Sequence, residues 1–406
     1  MTEQTNTPVL RFKSFNDEWS LSTIGALGDF YYGKSAPKWS ITEDVGIPCI
    51  RYGELYTKFN NVVNEIYSYT SMPKEKLRFS KGGEILIPRV GEDPLDFAKC
   101  VYLPQKDIAI GEMISVYNTK ENPLFLTYYF NTKMKYEFAK RVEGASVSNL
   151  YYSYLEDIKL KIPDIREQEK LGQFFSKLDR QIELEEEKLE LLEQQKRGYM
   201  QKIFSQELRF KDENGNEYPE WEDKKLLNVI AIQNGYAFKS NLFSEKGMPI
   251  IRITDINKST VKKGTVYYPE SIEINERFKI KQYDILIAMS GATTGKVGKY
   301  ISEKPSLLNQ RIGKFVMKKG TDNNFMFTYL NSLYFKKELS KLLVAGAQPN
   351  ISSQDIENIN LFIPINEEQR KIGEFFNELD ELIEKQSSKI GVLKQRKKGF
   401  LQKMFV

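Results

Sequence analysis

The residues best suited to chemistry in this chain are cations, amides and phenols gathered around short glycine turns. Ser290-Gly291-Ala292-Thr293-Thr294-Gly295-Lys296 has the look of a phosphate loop, but only three residues separate Gly291 from Gly295. Val297 also stands where a magnesium-binding Ser or Thr belongs, so nucleotide hydrolysis is excluded there. A glycine-rich basic loop still offers amides, Thr hydroxyls, Lys296 and Lys299 to a phosphodiester; the alternative is a plain hairpin with solvated lysines. The loop from Tyr31 to Trp39 mixes rings with cations, and Ser148-Asn149 stands beside Tyr151-Tyr152-Ser153-Tyr154. Such mixtures suit a DNA groove, where Lys and Arg meet phosphates while Asn, Gln and Arg meet base edges. The candidate contacts are Tyr31, Lys34, Lys38, Arg51, Arg89, Asn149 and Tyr152 in the first half of the chain. In the second half they are Tyr236, Lys239, Arg252, Thr293, Thr294, Lys296, Arg311, Gln348 and Asn350. Surface ion pairing is the competing role for the four arginines, and helix capping for Asn149, Gln348 and Asn350.

Other chemistry is thinly represented. The chain has no histidine, which removes the commonest metal ligand and the usual neutral-pH base. No zinc spacing, dinucleotide fingerprint or nucleophile elbow occurs, so no catalytic or metal site is expected. The Asn/Asp-Pro-Pro-Tyr/Phe tetrapeptide that an amino-methylating DNA methyltransferase needs is missing; Asn122-Pro123 is followed by Leu124. Cys49 and Cys100 lie in apolar surroundings and are expected to be buried thiols. The net charge of +5 permits a nucleic-acid partner without requiring one. With no apolar run of membrane-spanning length and a polar start, a cytoplasmic protein without a membrane partner is expected.

The elements that must position these residues come as a repeat. Ile162-Pro163 leads into Glu167-Gln168, Gly172-Gln173-Phe174-Phe175 and Leu178-Asp179; Ile363-Pro364 leads into Glu368-Gln369, Gly373-Glu374-Phe375-Phe376 and Leu379-Asp380. Apolar residues then fall at Leu171, Phe175, Leu178, Ile182, Leu189, Leu192, Tyr199 and Ile203, and again from Ile372 to Met404 in the same phase. Steps alternating four and three make a heptad seam, so each copy is expected to be a long helix in need of a partner helix. Upstream, Leu10-Arg11-Phe12 is echoed by Leu208-Arg209-Phe210, and Glu84-Ile85-Leu86-Ile87 by Asp284-Ile285-Leu286-Ile287, each apolar run suiting a buried strand. Further helices are expected over 124–142 and 325–344. The fold class is α+β: two β-rich domains related by pseudo-two-fold symmetry, separated by two long helices in an antiparallel coiled coil. Boundaries are expected at 1–164 and 207–364 for the domains, with 165–206 and 365–406 for the helices.

These helix starts, with Asp284-Ile285-Leu286-Ile287-Ala288 and the glycines after it, resemble the specificity subunits of type I restriction-modification systems. The resemblance spans almost the whole chain. It implies a non-catalytic subunit whose two target recognition domains each read one half of an asymmetric, bipartite double-stranded DNA site. It also implies two adenine methyltransferase subunits and restriction subunits as partners, which carry S-adenosylmethionine, ATP and magnesium; the chain itself needs no cofactor. The competing class is a coiled-coil scaffold whose loops bind proteins instead of DNA.

Polar interruptions in the seam suggest a register. Glu185 opposite Lys397 and Lys196 opposite Gln386 would align Leu189 with Leu393 and keep both charges off apolar layers. If the helices set the distance between half-sites, one added heptad in each lengthens the rod by about 10 Å, close to three base pairs. Selection from random DNA should then return a spacer about three base pairs longer, and an unchanged spacer would show that the helices are not the ruler.

Overall fold

A computed structural model describes residues 6–34, 36–144, 148–343 and 350–406. The chain divides into two compact units, Met1–Glu186 with Ser388–Val406, and Glu187–Ser387. In the first unit the strand Glu84–Pro88 is buried along its length. It lies in a four-stranded sheet ordered Gly28–Tyr32, Ile114–Thr119, Glu84–Pro88, Val101–Leu103. A second sheet runs Ile41–Thr42, Ser68–Thr70, Ile47–Ile50, Lys106–Ile110, Phe79–Lys81, with the Ile47–Ile50 and Lys106–Ile110 strands parallel. Strand alternation explains the two cores. Leu86 joins Ile50, Ile110 and Val116 from both sheets, whereas Ile85 and Ile87 turn to the helix Pro123–Lys133.

The second unit repeats this plan. Ile285 and Ile287 pack with Phe325 and Phe376, while Leu286 and Ala288 pack with Ile251, Tyr300 and Leu308. The helix expected over 124–142 is two, Pro123–Lys133 and Lys135–Ala139, and the one expected over 325–344 is also two, Asn323–Asn331 and Leu333–Leu343. Ser332 causes the second break: its backbone is extended (φ −69°, ψ 160°) and its hydroxyl accepts from the Phe335 amide at 3.3 Å. Val344 lies outside the described residues.

The long helices are Ile165–Phe204 and Asn366–Met404. Their starts explain the repeated Glu-Gln. Glu167, 1% exposed, receives two bonds from the Arg11 guanidinium at 2.8 and 2.6 Å; Glu368, fully buried, receives two from Arg209 at 3.2 and 2.7 Å. The Trp221 indole also donates to Glu368 at 3.1 Å. The Gln168 carbonyl accepts the Asn122 amide at 3.0 Å while its NH2 group donates to Pro163 O at 2.9 Å; Gln369 does the same with Asp322 and Pro364. Two residues thus tie the lead-in segment, the last strand and the start of the earlier helix, Pro123–Lys133 or Asn323–Asn331, to one point. Glycine is required one turn on, because a Cβ at Gly373 would lie 2.6 Å from Asp322 Oδ1 and 2.7 Å from the Phe325 amide.

The helix ends serve the other repeat. Phe405 packs against Trp19, Phe125, Tyr129 and Phe175 in the first unit, and Phe204 against Trp221, Phe325 and Tyr329 in the second. Each unit therefore contains the start of one long helix and the end of the other, and the two run antiparallel. In the first unit Asp179 pairs with Lys397, Glu185 with Lys389, and Glu186 with Lys394. In the second, Lys196 pairs with Asp380 and Tyr199 meets Phe375 edge-on.

This corrects the register read from the seam. Glu185 pairs with Lys389 and Lys397 with Asp179, not with each other, and Lys196 pairs with Asp380. The physical reason is that the seam lysines do not seek seam partners. They reach sideways to Asp179 and Asp380, the acids of the repeated Leu-Asp, so one ion pair recurs in both units. Charge-swapping Lys196 and Asp380 should recover about 1 kcal/mol relative to the single reversals, whereas losses at Glu185 and Lys397 should simply add. Urea denaturation of the two variant sets distinguishes these outcomes.

Candidate nucleic-acid interface

The loops converge beside the central buried strand of each unit. In the second unit Met289 donates its amide to Arg311 O (2.8 Å) and accepts from the Ile351 amide (3.0 Å), and Ser290 bridges Asn350. Three distant segments meet there around an open cleft of about 910 Å³. Arg311 and Asn350 line it together with Asn234, Gln310, Ser290 and Ser353. The Ser290 hydroxyl is buried and has no hydrogen-bond partner among the described residues. The cleft offers amides, a hydroxyl and an exposed guanidinium, a donor and acceptor set that matches base edges.

The first unit builds the same junction from different side chains. Arg89 donates to Met113 O (3.0 Å) and accepts from the Leu150 amide (2.8 Å), while Asn149 pairs with Val90. Matching these bonds sets Arg89 in the place of Met289, Tyr32 in that of Asn234 and Tyr151 in that of Ser352. Here the Arg89 guanidinium lies over the rings of Tyr32 (4.5 Å) and Tyr151 (5.1 Å). Tyr152 stacks on Phe30 at 5.3 Å and leans on Tyr32 at 4.5 Å. Burial pushes the Tyr32 phenol above its ordinary pKa, against the downward pull of Arg89.

Several expected residues stand apart from these groups. Tyr31 turns inward, donating to Glu84 at 2.6 Å, and burial followed by that bond raises its pKa; it is a packing residue. Lys299 is likewise withdrawn, bonded to Asn324 at 2.9 Å with its ammonium 4.4 Å from the Phe327 ring centre, and burial lowers its pKa. Thr293 and Thr294 spend their hydroxyls on Ile253 O and Gly291 O, which shapes the turn and leaves Lys296 exposed. Arg252 is half spoken for by Asp255 (4.0 Å) and Thr265 (3.3 Å). Lys34, whose ammonium bonds Glu75 O, is exposed, as are Lys38, Arg51 and Lys239. Tyr236 is 40% exposed against Phe238 and Phe278. Gln348 lies outside the described residues. Asn234, Gln310 and Ser353 were not among the expected contacts; only their types, amide and hydroxyl near glycine turns, hinted at them.

The architecture is that of a tandem specificity-domain protein, and comparison with known proteins agrees. A family model described as the type I restriction modification DNA specificity domain matches residues 16–194 and again 218–394. The type I restriction enzyme MjaVIII specificity subunit of Methanocaldococcus jannaschii is 32% identical over 313 residues, 73% of each chain. A type I restriction-modification S subunit from M. genitalium superposes with a TM-score of 0.66 at 18% identity, covering 98% of this chain and 99% of that one. A chain from a study of complex assembly and conformational transition in the type I R-M system gives 0.53 at 15% identity, covering 95% and 97%. The chain belongs to the type I restriction-modification specificity family.

If each unit reads one half of a target, substitutions at and beside the cleft of the second unit should act on that half alone. Arg311→Ala should weaken discrimination at one position by about 1–3 kcal/mol, and Lys296→Ala should lower the salt slope by about one, with the other half-site untouched in both. Arg252→Ala should do less, since Asp255 already holds part of its charge. Binding titrations against half-site variants at several salt concentrations measure all three.

Proposed function

We propose that this chain reads an asymmetric, bipartite double-stranded DNA site, one half per unit. We propose further that it serves as the non-catalytic scaffold for two adenine methyltransferase subunits and the restriction subunits of its complex. The observation that carries this reading is the pair of equivalent junctions with unlike side chains, Arg89 between tyrosines in one and Asn234, Gln310 and Arg311 in the other. One backbone design with two different hydrogen-bonding surfaces reads two different sequences. The mechanism is recognition by positioning. Exposed lysines such as Lys34, Lys38 and Lys296 hold phosphates, while the half-buried Arg89 and the amides and guanidinium of the second-unit cleft test base edges.

Methyl transfer belongs to the partner, which supplies S-adenosylmethionine and the pocket for a flipped adenine. ATP and magnesium belong with the restriction subunits. The long helices carry the starts and ends that complete both units, so a subunit docked on them is tied to both recognition surfaces. Among the described residues no helix is long and apolar enough to cross a membrane.

Random-sequence selection with the full-length chain and its methyltransferase should return two short conserved blocks around an unread spacer. The chain freed of other subunits should show no methyl transfer. Absence of any consensus, together with loop variants that change protein association instead, would favour the protein-binding scaffold.

A further inference from the structure

Arg89 is held more firmly than a surface arginine. Its backbone is pinned on both sides, by Met113 O at 3.0 Å and the Leu150 amide at 2.8 Å. Its side chain is half-buried, and two rings, Tyr32 and Tyr151, lie 4.5 and 5.1 Å from the guanidinium carbon. Rings satisfy the faces of a guanidinium but accept none of its in-plane N–H bonds. Its Nε is buried without a hydrogen-bond partner, and no carboxylate lies within ion-pair distance among the described residues. Arg11 and Arg209, by contrast, are each neutralised by a buried glutamate. A planar cation fixed by stacking and lacking an acid is prepared for an acceptor that arrives from outside.

We infer that Arg89 reads a guanine in the half-site recognised by the first unit, with Tyr32 and Tyr151 as positioning residues that keep the guanidinium edge aimed at O6 and N7. The inference rests on the DNA-reading proposed above. Guanine offers two acceptors spaced for a bidentate guanidinium, and no other base edge does so in the major groove. A phosphate is the competing acceptor. The half-buried position favours a base, because phosphates are more readily met by exposed lysines of the same unit such as Lys34 and Lys38. The second unit has Met289 and Asn234 at the matching places, so the device is confined to one half.

The test uses the full-length chain. Selection from random DNA should yield a half-site with a fixed guanine, assigned to the first unit because Arg311→Ala leaves it intact. Replacing that base by 7-deazaguanine, which lacks N7, should weaken the native chain about tenfold or more and barely affect Arg89→Ala. Arg89→Lys should keep the salt slope but lose the guanine preference, and Tyr151→Leu should reduce it while Tyr151→Phe preserves it. A bipartite consensus with an unchanged guanine preference in Arg89→Lys overturns the inference, as does indifference of the native chain to 7-deazaguanine at every guanine of the half-site. A uniform loss of affinity with a smaller salt slope would make Arg89 a phosphate contact and also overturn it. Those results leave the bipartite reading standing; only a failure to obtain any consensus removes both. The 7-deazaguanine arm needs no variant, so misfolding of Arg89→Ala cannot obscure the answer.

Discussion

The structure depends on one joint, the buried carboxylate at the start of each long helix. Glu167 and Glu368 are almost wholly withdrawn from water, and a buried carboxylate is tolerable only with a charge partner and filled hydrogen bonds. Arg11 and Arg209 provide both. Their guanidinium pKa values rise in consequence, chiefly through the bond to the glutamate, in opposition to desolvation. The neighbouring glutamine then joins the helix start to the end of the preceding strand and to the start of an earlier helix, Pro123–Lys133 or Asn323–Asn331. The two units solve it nearly identically, although Trp221 contributes an indole bond to Glu368 while the Trp19 nitrogen is buried without a partner among the described residues.

Against this shared frame, the side chains at the two junctions differ. The central strand has one face committed to each core, so its side chains are not free to vary. The residue just beyond it differs in both type and burial, half-buried in the first unit and packed into the core in the second. There the first unit has Arg89 and the second Met289, and the rings or amides that flank them change accordingly. A stacked arginine and an open amide cleft are different chemical instruments mounted on the same backbone bonds.

The repeat, the long helices, the seam and the buried strands were legible in the sequence because each is periodic or duplicated. The register was not. It is decided by Asp179 and Asp380, which stand beside the seam and so escape any argument that matches seam residues with one another. The cleft was legible in part. Arg311 and Asn350 were singled out by type and by their place beside divergent loops, but Asn234 and Gln310 join them only because backbone bonds gather three segments far apart in the chain. Tyr31 shows the opposite error, since alternation along a strand sends adjacent tyrosines to opposite faces, and only Tyr32 meets Arg89.

The way each unit borrows a helix end has a consequence for synthesis on the ribosome. The second unit is a single continuous stretch, Glu187–Ser387, but the first is assembled from Met1–Glu186 and Ser388–Val406. Domains generally fold as they emerge. The half translated first must therefore wait through translation of the whole second half before Phe405 arrives to cover Trp19, Phe125 and Tyr129. During that interval its aromatic core is open on the side that Phe405 covers in the finished chain.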